Sequence, residues 1–372
     1  VSLAESLARA EHGVRPLLNL LSPAAAVKVF SKGRPFFIDR LAQELPAQRV
    51  IDRSVAVTAW NLTFRTPLWN AAGMFKKGEA YDVMAMQGAG AWVAGTTTAT
   101  PRTGNERAGV RWPVATYPAS HAGSNWLGLP NPGHDVVAKR IATLRRVNGC
   151  NIGASVSADP GREDLVALNE LVDGMRAYDA AKVDYIELNE SCPNVEERVE
   201  GRLLDDALID RLEHVSQAFL RRRTRALPVV VKFSNDTNPA QVPDLLDVLL
   251  TLGFDGVIFG NTSTRYEHYA PQIASSERKV FEHFTSTFGG GVSGRPLKNA
   301  SRDLSAAAAR ALASRTVPHE FHVIRCGGVE SPDDLAVSRH HGVTLHQWYT
   351  GYFEAFARDG HNVYQRFFDT LS

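Results

Sequence analysis

Four amides, a cysteine and a lysine fall where short apolar runs of this chain end, and together they carry the groups needed to hold and oxidise a planar polar ring. Asn125, Asn189, Asn194 and Asn261 each offer N–H donors and a carbonyl acceptor, the set that reads a ring with alternating N–H and C=O groups, such as a dihydropyrimidine. A single loop asparagine more often only caps a turn, and four at equivalent positions weaken that explanation. Cys192 sits between Ser191 and Pro193 in a polar stretch, and a thiol placed there acts as a base once its pKa falls toward neutrality. Lys232 ends the apolar run VVVKF. An ammonium in that setting needs an anionic or electron-rich partner, and the N1/O2 edge of a flavin is one. The glycine-rich GGGVSG at 289–294, Gly327-Gly328 and Thr350 suit an anion held by backbone N–H groups.

These residues need a frame that gathers chain ends on one face. Apolar runs at 68–72, 91–94, 150–152, 185–189, 229–233, 256–259, 322–326 and 345–349 read as parallel strands. Segments 164–182, 241–252 and 301–314 have the length and Ala/Leu content of crossover helices. Eight such units predict an α/β protein, a (βα)8 TIM barrel over 51–372, whose chemistry lies on the loops after the strands. Cys150 and Cys326, inside strand runs, are expected to be buried and inert.

Residues 1–50 read as an N-terminal helical extension. Its apolar residues recur at helical spacing, punctuated by Pro16, Pro23 and Pro35, which predicts short amphipathic helices packed on the barrel base. Lys28, Lys32, Arg34 and Arg40 are interleaved with the apolar positions, so a membrane-surface or quinone-entry role stays open.

Composition narrows the classes. With 41 Lys plus Arg against 40 Asp plus Glu, nothing points to the basic surface of a dedicated nucleic-acid binder. Three widely spaced cysteines without a CxxC pair argue against a disulfide framework, a zinc site or an iron–sulfur cluster, and no metal is expected. A reducing, cytoplasmic setting fits, with peripheral membrane contact open. No apolar run reaches the roughly 18 residues of a spanning helix.

In order and spacing, YIELNESCPNV at 185–195, VVVKFS at 229–234, GNT at 260–262, GGGVSGRPL at 289–297, CGGV at 326–329 and QWYTG at 347–351 resemble the dihydroorotate dehydrogenase family. The resemblance implies FMN as cofactor, dihydroorotate as substrate and a quinone or fumarate as electron acceptor, and it leaves a homodimer open. Ala71, Ala72, Thr96, Asn151 and Lys232 would line the isoalloxazine and ribityl chain, with Ser293, Gly294, Gly327, Gly328, Tyr349 and Thr350 toward the phosphate. Asn125, Asn189, Asn194, Asn261 and Thr262 would bind substrate, and the backbone of Leu127, Gly128 and Leu129 its carboxylate. Cys192 falls on the catalytic base, and Lys76 on a lysine of the quinone-using class. The two classes mix, because a cysteine base and LGLPN resemble the soluble class, whereas Lys76, Gly95, Asn151 and the helical extension resemble the quinone class. Glu190 and Arg325 depart from the family pattern and leave a related ring substrate as an alternative; an RNA dihydrouridine synthase, which also places a cysteine on an FMN barrel, is another. A guanidinium at 325 suits phosphate and is expected to pair with it.

Overall fold

Strands buried on both faces require helices on the outside, and the central runs here have that character: Val229–Phe233 and Gly256–Phe259 are buried at every position. The computed structural model describes residues 1–18, 20–162, 164–190 and 204–369. Its eight-stranded parallel sheet comprises β1 Leu68–Asn70, β2 Ala91–Thr97, β3 Asn151–Val156, β4 Tyr185–Asn189, β5 Val229–Phe233, β6 Gly256–Phe259, β7 His322–Cys326 and β8 Leu345–Trp348. Neighbours in space follow chain order, with β8 beside β1, as in a (βα)8 barrel. Between β1 and β2 the Asn70 amide closes the seam, donating to the Val93 carbonyl at 2.9 Å and accepting from the Val93 N–H at 3.2 Å. A parallel bridge from Phe75 to Ala94 continues the closure above it.

Register sets the height of each inward side chain. Asn189 pairs with Lys232, and Cys326 with Gln347, so these four reach the same end of the barrel. The other end is filled by aromatic rings. Trp69 lies 6.2 Å from Tyr185, and Phe64 of the hairpin Val57–Ala59/Leu62–Phe64 stacks on Trp69 at 5.3 Å. Tyr185 also fixes the identity of Gly153, where a Cβ would stand 2.3 Å from its ring.

The N-terminal segment departs from the expected short helices on the base. It forms two longer ones, α1 Leu3–Leu18 and α2 Pro23–Leu41. Pro23 occupies the first turn of α2, where no N–H is needed, and Ser22 caps it. Pro16 and Pro35 are accommodated within the helices. α1 packs on helix Thr350–Asp359 that follows β8, and α2 crosses a three-stranded sheet of Val114–Tyr117, Ala122–Asn125 and Gly291–Gly294. Ala26, Val27 and Phe30 join Tyr117, Phe281 and Phe284 in a second apolar cluster there. This sheet is built from excursions after β2 and β6, so α2 sits at the strands' C-terminal mouth rather than at the base. Periodicity identifies an apolar face and is silent on what covers it.

Candidate active site

At the C-terminal ends of the strands lies a cavity of about 840 Å³, counted out to its open mouth. Sixteen of the residues singled out from the sequence line it: Ala71, Ala72, Lys76, Thr96, Asn125, Leu127, Leu129, Asn189, Lys232, Asn261, Thr262, Ser293, Gly294, Gly327, Tyr349 and Thr350. They come from seven of the eight strand ends and from both excursions, so the barrel brings together what is dispersed over 280 positions of chain. Cys192 and Asn194 lie outside the described residues.

Lys232 dominates the electrostatics. It is 2% exposed, and its ammonium donates to Gln347 Oε1 at 3.0 Å and approaches Cys326 Sγ at 3.7 Å. A lysine only donates, so Gln347 must turn its oxygen toward Lys232 and its nitrogen toward Glu187, whose Oε1 accepts from it. The Glu187 carboxyl is fully buried; burial pushes its pKa up, and the Lys232 charge pulls back down. Lys232 is thus a buried cation whose direct partners are neutral and whose head faces the cavity, a setting that favours an anionic or electron-rich occupant.

Amides surround that floor. Asn189 Nδ2 donates to Thr96 Oγ1 at 3.2 Å, and Thr96 in turn shares a hydrogen bond with Ser155 Oγ at 2.9 Å. Asn261 turns its Oδ1 onto the Thr262 N–H at 2.9 Å, and Asn235 braces the Asn261 carbonyl. The Leu127–Leu129 stretch is held through its carbonyls, which accept from the Asn105 N–H, the Arg102 guanidinium and the Asn131 amide. At the far side Ser293 Oγ meets Thr350 Oγ1 at 3.2 Å, where helix Thr350–Asp359 begins. Its positive N-terminal end and the glycine backbone of Gly294 and Gly327 make an anion cradle.

Two expectations fail on geometry. Asn151 opens β3 at the barrel's opposite end, where its amide donates to the Thr63 carbonyl at 3.0 Å. The run expected to end at 152 continues to Val156 through small residues with little apolar signal, and the inward group beside Thr96 is Ser155. Gly128 and Gly328 are not among the residues that line the cavity; both are held close to neighbouring chain, where a Cβ would stand 2.1 Å from Asn105 Oδ1 at the first and 2.4 Å from Lys298 Cα at the second. Arg325 alternates with Cys326 and so points out of the barrel. Its guanidinium is spent on Ser301 Oγ, Ser338 Oγ and the carbonyls of Asp334 and Lys298, and burial lowers its pKa to about 10. It braces the cradle from behind, because Ser301 also donates to the Gly327 carbonyl at 2.6 Å.

Glu190 is likewise turned away from the cavity, 4% exposed and paired with Arg211 at 3.0 Å. Both departures from the family pattern are therefore engaged outside the ring site, Glu190 by an ion pair and Arg325 by neutral acceptors. Gly73, Leu297 and Cys326 also line the cavity. Cys326, expected to be buried and inert, is buried but reaches the cavity wall, whereas Gly73 and Leu297 carry no chemical signal in the sequence. Cys150 is buried, with its thiol pushed up to about 12.

Comparison with known proteins agrees with this architecture. The family model described as Dihydroorotate dehydrogenase matches residues 54–366. A protein of Parvibaculum lavamentivorans named dihydroorotate dehydrogenase (quinone) is 30% identical over 90% of this chain and 87% of its own length. One of the same name from Salinispora arenicola is 31% identical over 92% and 94%. Among solved structures, ligand-free DHODH from Eimeria tenella superposes with a TM-score of 0.72 at 25% identity, covering 91% of this chain and 92% of that one. With five-sixths of its length matched by the family model and the strand-end cavity built from the same blocks, the chain belongs to the dihydroorotate dehydrogenase family.

Proposed function

We propose that this protein oxidises dihydroorotate to orotate with bound FMN and passes the electrons to a quinone. The observation that carries the reading is the buried Lys232 ammonium beneath an amide-ringed cavity with an anion cradle at its far side. The family's relatives named for quinone support the acceptor. FMN, when bound, supplies N5 as the hydride acceptor. Lys232 would face the flavin edge where negative charge gathers on reduction, and the cradle of Gly294, Gly327 and Thr350 would hold the phosphate. Asn125, Asn189, Asn194, Asn261 and Thr262 orient the dihydropyrimidine ring, while the Leu127–Leu129 backbone holds its carboxylate. Cys192 takes the proton from the carbon beside the ring carbonyl as hydride leaves the neighbouring carbon, and the C=C bond of orotate forms between them. Catalysis is then positioning and electrostatics, with one proton transfer.

A second cavity, of about 1280 Å³, runs from the first between α1 and α2 and shares Asn125, Ser293, Tyr349 and Thr350 with it. Leu7, Leu18, Val29, Phe30, Phe37 and Phe353 give it apolar walls; of its two cations, Arg15 is neutralised by Glu11 and Glu354, and Arg34, at the border with the ring cavity, is held by Tyr349 Oη and the Gly73 carbonyl. A channel with mainly apolar walls suits a neutral apolar acceptor better than a dianion such as fumarate. Exposed Leu3, Leu17, Leu20, Val29 and Phe36 beside Arg9, Lys28, Lys32 and Arg40 support peripheral contact with an anionic membrane surface. No helix among the described residues is long and apolar enough to cross one. In steady-state assays with dihydroorotate, a short-chain ubiquinone analogue is expected to sustain turnover at least about tenfold faster than fumarate, a gap of roughly 1.4 kcal/mol in barrier. Equal or faster turnover with fumarate would rule out the quinone channel.

A further inference from the structure

Beyond these two cavities a third depression, of about 930 Å³, opens on the opposite side of α2 and meets the ring cavity at Lys76 and Leu127, which line both. Five cationic side chains, Arg34, Lys76, Lys77, Arg102 and Arg111, face it against two carboxylates, Asp39 and Glu79. The whole chain carries a formal net charge of only +1, so this excess is local.

Four of the five, Arg34, Lys77, Arg102 and Arg111, form no ion pair among the described residues, whereas Arg15, Arg146, Arg223, Arg225 and Arg315 each sit on a carboxylate. In the cleft, Arg102 donates to the Gly128 carbonyl at 3.3 Å, and Arg111 lies 4.8 Å over the Trp112 ring. Among the described residues neither they nor Lys77 form an ion pair. Arg34 is held at the boundary by Tyr349 Oη at 2.8 Å and the Gly73 carbonyl at 2.9 Å, both neutral acceptors. Glu79 is buried, and its Oε2 accepts from the Lys77 N–H. Burial raises its pKa, against the pull of the Lys77 and Arg140 charges.

We propose that this cleft is an anion-docking vestibule through which the small ring carboxylate enters and leaves the site, separate from the apolar channel that serves the acceptor. The inference rests on the dihydroorotate reading and adds a route to it. Charges lining a low-dielectric cleft focus the field and raise the on-rate of an oppositely charged ligand. The effect is screened over about 10 Å at 0.1 M salt. Two substrates of opposite character then meet at one cavity without competing for one mouth.

The test is stopped-flow association of orotate with the FMN-loaded protein, followed by the flavin spectrum across a range of ionic strength. Lys77 and Arg111 are exposed and outside the ring cavity, so Lys77→Gln/Arg111→Gln and the charge-reversing Lys77→Glu/Arg111→Glu pair probe charge alone. At low salt the association rate constant should fall about fivefold in the first and at least about tenfold in the second. Its salt dependence should flatten, then invert, with the dissociation rate and the quinone KM changed less than about twofold. Wild-type association rates and salt dependence in both variants would overturn the vestibule while leaving the dihydroorotate reading intact. A wild-type protein that holds FMN yet neither binds orotate nor is reduced by dihydroorotate would overturn that reading, and this proposal with it.

Discussion

Cys192→Ala should slow reduction of the bound flavin by dihydroorotate by about 10²–10⁴-fold, the range for loss of a positioned general base, while flavin content stays at the wild-type level. The thiol is assigned only to the proton transfer; the groups assigned to the cofactor lie on other strand ends, at Thr96, Lys232, Gly294 and Gly327. A free thiol is only a few per cent ionised near pH 7. The wild-type rate should therefore rise with pH until the thiolate form is full, and Cys192→Ser should shift that rise to higher pH with partial activity. Rapid-mixing traces at pH 6 to 9.5 for the three proteins measure this. A Cys192→Ala protein reduced at the wild-type rate would remove the cysteine from the chemistry.

Lys232→Met should lower the rate of flavin reduction by about 10²–10³-fold, because it removes a preorganised cation from the place where negative charge develops. The flavin's midpoint potential should fall as well. Loss of the lysine also takes away the one cation that pulls the Glu187 pKa down, so Glu187 should become protonated at higher pH than in the wild type. Stability should fall as well, because the substitution leaves Gln347 Oε1 without its donor and the buried Glu187 carboxyl without its nearby cation, so Tm of the flavin-free variant should lie below the wild type. A variant with unchanged potential and rate would show that Lys232 is a structural group bound to Gln347 and nothing more.

Much of the frame was legible because barrel strands buried on both faces carry an apolar run whatever their neighbours are, and all eight runs did. Their ends were legible too, since amides, a lysine and glycines stand out after such runs. What failed depended on partners distant in sequence. β3 extends through Gly153-Ala-Ser155 because a glycine must accept the Tyr185 ring; the low apolar content hid the strand's true end and put Asn151 at the wrong height. Arg325 read as a phosphate ligand because its neighbours in sequence are the cradle, but strand alternation turns it toward Ser301 and Ser338. The placement of α2 and the basic cleft were invisible for the same reason. The cleft's cations lie at positions 34, 76, 77, 102 and 111, which only the folded excursion after β2 gathers around one helix.

The most direct test of the central claim is to mix the FMN-loaded protein anaerobically with dihydroorotate and follow the oxidised flavin band in a single turnover. The account predicts rapid, stoichiometric bleaching, with orotate formed in equal amount and the band restored on adding a quinone. A flavin that stays oxidised, in a protein whose FMN is fully bound, would contradict it.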